Sequence, residues 1–324
     1  MILGIESTAH TFGIGIVKNG KILANKRDML HTESGGIIPN ESAKHHTNVS
    51  EKIYLQALEE AKIKENEIKA IAFSIGPGLA PCLYAGFRFA KGLAEKLSVP
   101  LVAVNHCVAH LEISKISGAK DPLLLYTSGA NTQIIAFVNG KYRVFGETLD
   151  IGIGNFLDKF ARHAGLGFPG GPKIEKIAKG GKYIEIPYSI KGMDVSFSGM
   201  QTKAQQLYDR KEKIEDIAFS IQETAFAMLV EATERAMAHT GKKELALGGG
   251  VACNERLAEM CKIMCKERKA KFFCPEKSLL VDNGAMIAYL GEIMFKAGIK
   301  MTDLNEDIRP RERTDEVKVA WRAK

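Results

Sequence analysis

A chain of 324 residues, 45% hydrophobic and 26% charged, has room for two domains and the balance of an ordinary globular protein. No apolar run approaches the length of a membrane span, and the chain reaches Glu6 before any basic-then-apolar leader forms, so neither a membrane protein nor an exported one is expected. The net charge of +7 permits a polyanionic partner without requiring one, and six cysteines with no Cys-x-x-Cys pair read as free thiols in a reducing cytoplasm.

In chain order, residues 2–7, 12–18 and 21–27 read as three antiparallel strands. The first two alternate Gly with Ile, and Asn19-Gly20 signals a hairpin because both turn positions need φ > 0. A helix over about 41–61 follows Pro39-Asn40. Then come a buried strand (68–75), a turn at Gly76-Pro77-Gly78, a helix (81–97), a strand (101–104) and a helix opening at His106. At Leu123 the same order restarts. Strands are expected at 123–127, 132–138 and 141–147, the last two again split by Asn-Gly (Asn139-Gly140). Helix 153–164, helix 214–239, strand 244–247, helix 254–266, strand 271–273 and helix 283–296 complete the second set.

An eight-element order used twice is the plan of the duplicated RNase-H-like fold shared by actin, hexokinase and Hsp70, an α/β architecture of two domains around a nucleotide cleft. The expected division is 1–120 and 121–296, with an insertion at about 166–213 and the segment 297–324 packing back on the first domain. In that plan each half offers a hairpin near the phosphates, here Glu6-Ser7-Thr8-Ala9 and Ser128-Gly129-Ala130-Asn131, whose small residues let backbone N–H groups approach oxygens.

The most informative stretch is Asn105-His106-Cys107-Val108-Ala109-His110. On a helix, His106 and His110 lie one turn apart on one face and can share a metal ion. Cys107 stands where a zinc peptidase needs its Glu, which weakens a peptidase reading. Two satisfied histidines at a strand-to-helix turn are the alternative. Asp282, before the last helix, is either a helix cap or the carboxylate of a two-His, one-carboxylate set across the cleft, with Tyr126 able to add an oxygen; such a set suits Fe(II) or Zn(II). Asp158 pairs with Arg162 one turn on, or reaches the cleft floor. Gly171-Pro172 reads as a helix start, with Glu175 on its first turn within reach of ribose hydroxyls. Gly248-Gly249-Gly250 leads to Asn254, a base contact or a cap.

These motifs carry a resemblance that runs nearly end to end. With Asn105 to His110, Phe145-Gly146-Glu147-Thr148-Leu149-Asp150, Phe168-Pro169-Gly170-Gly171-Pro172, Phe197-Ser198-Gly199 and Asp282-Asn283-Gly284-Ala285-Met286, the chain resembles the tRNA threonylcarbamoyladenosine transferases in their archaeal and eukaryotic form. That form is the catalytic subunit of the KEOPS complex, formerly called O-sialoglycoprotein endopeptidase. The resemblance implies metal ligation by His106, His110, Tyr126 and Asp282. It implies adenylate contacts at Tyr126, Thr127, Ser128, Gly129, Ala130, Asn131, Asp158, Gly171, Glu175 and Asn254, with Mg(II) as a further companion of a bound nucleotide. The implied reaction moves a threonylcarbamoyl group from threonylcarbamoyl-AMP to N6 of the adenosine 3′ of the anticodon, aided by a Lewis-acidic divalent ion. A small kinase or ATPase and a small dimerising protein are the implied partner subunits, besides tRNA, and no membrane is involved. No residue stands out as general base.

Two positions depart from the family pattern: Ala130 where the second loop usually has Gly, and Ser7 where archaeal relatives usually have Gly. A phosphotransferase or ATPase, or a nucleotide-switched binding module, remains the alternative on this fold, which by itself does not fix function. Basic residues cluster in the insertion (Lys191, Lys203, Arg210, Lys211, Lys213) and near the C-terminus (Arg309, Arg311, Arg313, Lys318, Arg322); interspersed acids make solvated surface the default reading of both, and tRNA contact by the insertion is the alternative.

Overall fold

The computed structural model describes residues 1–31, 37–301 and 307–322, so part of the segment 297–324 lies outside the described residues. Two five-stranded sheets share one strand order. The first runs β3-β2-β1-β4-β5 and the second β8-β7-β6-β11-β12. Their strands are β1 (Ile2–Glu6), β2 (Thr11–Lys18), β3 (Lys21–Met29), β4 (Ala70–Gly76) and β5 (Leu101–Asn105), then β6 (Leu123–Thr127), β7 (Thr132–Val138), β8 (Lys141–Glu147), β11 (Glu244–Gly248) and β12 (Lys271–Phe273). In each sheet the first three strands are antiparallel and the last two join in parallel. Both hairpins turn at Asn-Gly with positive φ at each residue: 51° and 74° at Asn19-Gly20, 52° and 76° at Asn139-Gly140.

Helices α1 (Pro39–Ala61) and α2 (Ala80–Leu97) cover the outer face of the first sheet, where Phe12, Ile14 and Ile16 meet Tyr54, Ala90 and Leu93. The outer face of the second sheet carries α4 (Ile153–His163), α5 (Gly170–Ile177), α6 (Ser198–Asp209), the long α7 (Ile214–Thr240) and α8 (Glu255–Glu267). Between the two sheets lie α3 (His106–Ile113) and α10 (Gly284–Lys296), whose residues share one core with Ile2, Ala72 and Val104 on one side and Leu124, Tyr126 and Ala246 on the other. Both are apolar nearly all round, as helices buried on every side must be.

The glycines of the opening strands now have a physical reason. Strands alternate faces residue by residue, so Ile5, Ile14 and Ile16 point to the outer core and the glycines beside them to α10. A Cβ on Gly4 would stand 2.1 Å from Ala288 N, and one on Gly15 would stand 2.2 Å from Ala285 N. Gly284 is equally confined, 2.2 Å from Gly15 N. Helix and sheet thus meet backbone to backbone. Glu292 of α10 then accepts the Asn19 and Gly20 amides at 2.6 and 2.7 Å, fastening the helix to the first hairpin.

The inserted region holds more structure than its sequence suggested: a two-strand ribbon, β9 (Ile190–Lys191) with β10 (Asp194–Val195), and α6. Asp150 organises α6, accepting the Phe197 and Ser198 amides at 2.9 Å each, while Phe197 stacks on Phe156 with ring centroids 5.8 Å apart. A further short helix, α9 (Lys277–Leu280), precedes Asp282. Among the described residues no helix is long and apolar enough to cross a membrane.

One buried charge ties α3 to its surroundings. Glu112 accepts from Tyr142 Oη at 2.5 Å, Lys115 Nζ at 2.6 Å and Arg322 at 2.6 Å. Burial alone would raise its pKa, but Lys115 and Arg322 outweigh burial and lower it below the ordinary 4.5. The stabilisation is therefore present above pH 4.5 and is lost as pH falls through the depressed folded value. Acid titration of the thermal midpoint should show a fall in this window that Glu112→Gln flattens. Gly15→Ala should cost more than the ~1–3 kcal/mol of ordinary overpacking, read by denaturant unfolding, because backbone rather than a pliant side chain stands in the way.

Candidate metal centre and nucleotide cleft

The polar end of α3 opens where the two sheets come together. Asn105 caps α3, its Oδ1 accepting the Val108 amide at 3.1 Å, and this sets His106 at the start of the helix and His110 one turn on. Their rings meet edge to face with centroids 4.8 Å apart. Asp282 Oδ1 lies 3.4 Å from Nε2 of both. Tyr126 Oη lies 3.1 Å from His106 Nε2. One donor atom from each of His106, His110 and Asp282 falls within a 4.8 Å cluster.

The reading of Asp282 as a helix cap is corrected by the structure. Asn283 caps α10, accepting the Met286 amide at 3.0 Å. Asp282, one residue earlier, is released to face the histidines.

Behind His106 stands Glu6. Its Oε2 is 2.9 Å from His106 Nδ1, and its Oε1 accepts the Thr8 amide at 2.7 Å. Glu6 is fully buried at the end of β1. A carboxylate on Nδ1 fixes the imidazole tautomer with a proton there and turns the Nε2 lone pair outward, the usual support of a metal-bound histidine. Burial by itself would lower the His106 pKa, but Glu6, Tyr126 and Asp282 together raise it well above the ordinary value. Among the described residues His110 Nδ1 has no hydrogen-bond partner, and burial lowers the His110 pKa. Burial would raise the Asp282 carboxyl, yet the two imidazoles hold it well below the usual carboxylate range.

The donor types suit a first-row divalent ion, and the donor atoms of His106, His110 and Asp282, which spread over up to 4.8 Å, would draw in around it. Two ligands each about 2.0–2.1 Å from a tetrahedral ion stand about 3.3–3.4 Å apart, and the contacts to Asp282 and Tyr126 measured here are 3.1–3.4 Å. Two imidazoles with oxygens are borderline donors, which suits Fe(II) or Zn(II) better than Mg(II).

The second half supplies the loop Ser128-Gly129-Ala130-Asn131. It is braced from both sides: Ser128 N–H donates to Asn131 O at 2.8 Å, and the Gly154 and Asn155 amides of α4 donate to Ser128 O and Gly129 O at 3.1 and 2.9 Å. Among the described residues the amides of Gly129 and Ala130, at the tip, have no partner. Ala130 is not among the residues with positive φ, so its methyl fits the loop without backbone strain. Ser7 is accommodated by Gly86, where a Cβ would stand 1.9 Å from Ser7 Oγ. Thr127 Oγ1 donates to Gly248 O at 3.3 Å, and Gly249, at φ 90°, passes so close to Thr127 that no Cβ fits.

Three other sequence candidates have partners within the fold, and for Asn254 the capping alternative holds. Asp158 does not rely on Arg162: its Oδ1 accepts the Gly170 amide at 2.6 Å, at the start of α5. That helix begins at Gly170, so Pro172 is third rather than first. Asn254 caps α8 through the Arg256 amide (2.9 Å) and gives its Nδ2 to Gln222 at 3.0 Å. Glu175 accepts the Glu255 amide at 2.8 Å. Glu175, Gln222 and Arg256 border one cavity of about 490 Å³ between α5, α7 and α8. The supporting role of Glu6 is what the sequence reading missed; an acid closing an otherwise apolar strand is the signal for it.

A duplicated fold with a hairpin loop from each half, and an imidazole–carboxylate cluster that could hold a metal ion, defines a cleft protein of the actin, hexokinase and Hsp70 superfamily. Solved structures agree on the fold alone: HypF of T. kodakarensis (15% identity, TM-score 0.65, covering 91% of this chain and 48% of that one), and the (R)-2-hydroxyglutaryl-CoA dehydratase component A of Acidaminococcus fermentans (13%, TM-score 0.54, 89% and 97%). Residues 21–289 match the family model of the tRNA N6-adenosine threonylcarbamoyltransferases, and the chain belongs to that family. It is 57% identical over 321 residues to the tRNA N6-adenosine threonylcarbamoyltransferase of Thermococcus sibiricus, covering 98% of this chain and 99% of that protein. It is 52% identical to a probable bifunctional tRNA threonylcarbamoyladenosine biosynthesis protein of Methanocorpusculum labreanum, covering 99% of this chain and 61% of that protein.

Glu6→Gln should weaken divalent-ion affinity about ten- to a hundredfold while leaving the fold intact, as measured by Zn(II) competition titration and circular dichroism.

Proposed function

We propose that this chain transfers a threonylcarbamoyl group from threonylcarbamoyl-AMP to N6 of the tRNA adenosine next to the anticodon, at an ion of Fe(II) or Zn(II) held by His106, His110, Asp282 and Tyr126. Family membership supports the reaction class. The observation that carries the site is the convergence of His106 Nε2, His110 Nε2 and Asp282 Oδ1, 3.4 Å from carboxylate to each imidazole.

In this reading the bound ion supplies Lewis acidity and a template for the acyl donor. The chain does the remaining work. Glu6 orients His106. The amides of Gly129 and Ala130, with Ser128 and Asn131, receive phosphate oxygens. Thr127 holds the glycine turn against that loop, Asp158 and Gly171 border the ribose, and Glu175 and Asn254 lie on the base side. A C–N bond to N6 forms, the C–O bond to phosphate breaks, and AMP departs with loss of one N6 proton. Holding donor and amine together in one cleft converts an encounter into an intramolecular step.

The chain is proposed to divide near residue 120 into halves of equal strand order. Partner subunits are proposed to include a small kinase or ATPase and a small dimerising protein; the bifunctional relatives, which extend well past the span matched here, support a companion activity. A cytoplasmic setting agrees with six free cysteines. The insertion, with exposed Lys191, Arg210, Lys211 and Lys213, is the proposed tRNA face. The C-terminal basic residues are weaker candidates, because Arg313 pairs with Glu147 and Asp315, and Arg322 with Glu112.

Unmodified tRNA incubated with this protein, its partner subunits and fresh threonylcarbamoyl-AMP should yield threonylcarbamoyladenosine by nucleoside mass spectrometry, and His106→Ala should abolish it. Equal product from the variant would discard the metal assignment. No product from the native protein, with partners proven active on another transferase, would discard the reaction.

A further inference from the structure

Helix α3 carries both histidines yet has only eight residues, all buried. A helix this short is not stable by itself and takes its position from what grips it. Three grips come from one segment that contains no proposed ligand, residues 309–322.

The segment is built into the fold. Arg309 N–H donates to Ile75 O at 2.8 Å, and Pro310 O accepts the Gly78 amide at 3.1 Å. It runs so close over Gly76 that a Cβ there would stand 1.8 Å from Arg309 O. From this anchor, Glu312 Oε2 accepts from Asn105 Nδ2 at 2.9 Å, and Glu312 Oε1 is held by Arg309 at 2.7 Å. Asn105 is the α3 cap, so Glu312 fixes the residue immediately before His106. Thr314, itself buried, lies against the thiol of Cys107, the residue immediately after His106. At the far end of α3, Arg322 donates to Glu112 at 2.6 Å, with its guanidinium 4.1 Å above the Phe137 ring. Val317, Val319 and Trp321 fill the space between, against the core that encloses α3.

We infer that residues 312–322 form a positioning strap for the metal helix: Glu312, Thr314 and Arg322 grip α3 at its cap, first turn and last turn and so set where His106 and His110 stand relative to Asp282. The inference rests on the metal-site reading above. It adds a dependence of that site on a C-terminal segment which touches neither ion nor substrate. A hydrogen bond to a cap aims a backbone, and small errors of aim matter for an ion that needs its donors within a few tenths of an ångström.

The test is Co(II) binding to the full chain, read by affinity and by the visible ligand-field band. Glu312→Leu removes the acceptor for Asn105, and Glu312→Gln keeps one. Arg322→Met removes the far grip. Glu312→Leu and Arg322→Met should each weaken Co(II) binding about ten- to a hundredfold and alter the band, while Glu312→Gln restores both. Circular dichroism of the metal-free proteins identifies any variant that fails to fold; if Arg322→Met fails, the Glu312 pair decides. Native affinity and an unchanged band in Glu312→Leu would overturn the strap, provided His110→Ala loses Co(II). Retention of Co(II) by His110→Ala would instead overturn the metal-site reading, and the strap with it.

Discussion

The structure depends on one contact without side chains: the backbone of α10 resting on the glycine face of β1 and β2. With distances of 2.1–2.2 Å from would-be Cβ atoms to backbone nitrogen, no residue but glycine fits at Gly4, Gly15 or Gly284. The approach places the start of α10 beside the end of β1. Glu6 closes β1 and Asp282 precedes α10, so both carboxylates reach His106 because of that packing. Asn283 completes the geometry by taking the capping task, which leaves the neighbouring carboxylate uncommitted.

The site that results is electrostatically demanding. Glu6 is fully buried and Asp282 largely so, with buried imidazoles between them. Buried charge is stable only when matched. Glu6, Tyr126 and Asp282 favour positive charge on His106, and this raises its pKa well above the ordinary value. An ion would supply that charge at Nε2 while Glu6 keeps the proton at Nδ1. The cluster is thus matched with either a proton or a cation at its centre, and the two compete.

Much of this was legible beforehand. Hydrophobic runs, two Asn-Gly turns and the repeated order gave the strands and most helices, because those signals are local. The His106 and His110 pairing follows from helical periodicity. What escaped was non-local. Gly4 and Gly15 announce a close approach but not that α10, some 270 residues on, makes it. Asp282 and Asn283 are both good caps by composition, and only packing decides between them. The helix α6 escaped because its start is organised by Asp150, nearly fifty residues upstream. Asp158 and Arg162 have ion-pair spacing, yet the carboxylate serves the Gly170 amide, which arrives from another element.

The placement of α3 and α10 bears on how the molecule comes apart. The helix that ends the second half, α10, lies on the first sheet, while α3, which ends the first half, is shared between the two sheets, and both helices belong to one core. Neither half closes its own interior. The duplication visible in the strand order is a repeat of topology, while the unit that gains stability is the whole chain. Cutting near residue 120 should leave each fragment with an apolar face and no cover, so the chain is expected to unfold as one cooperative unit.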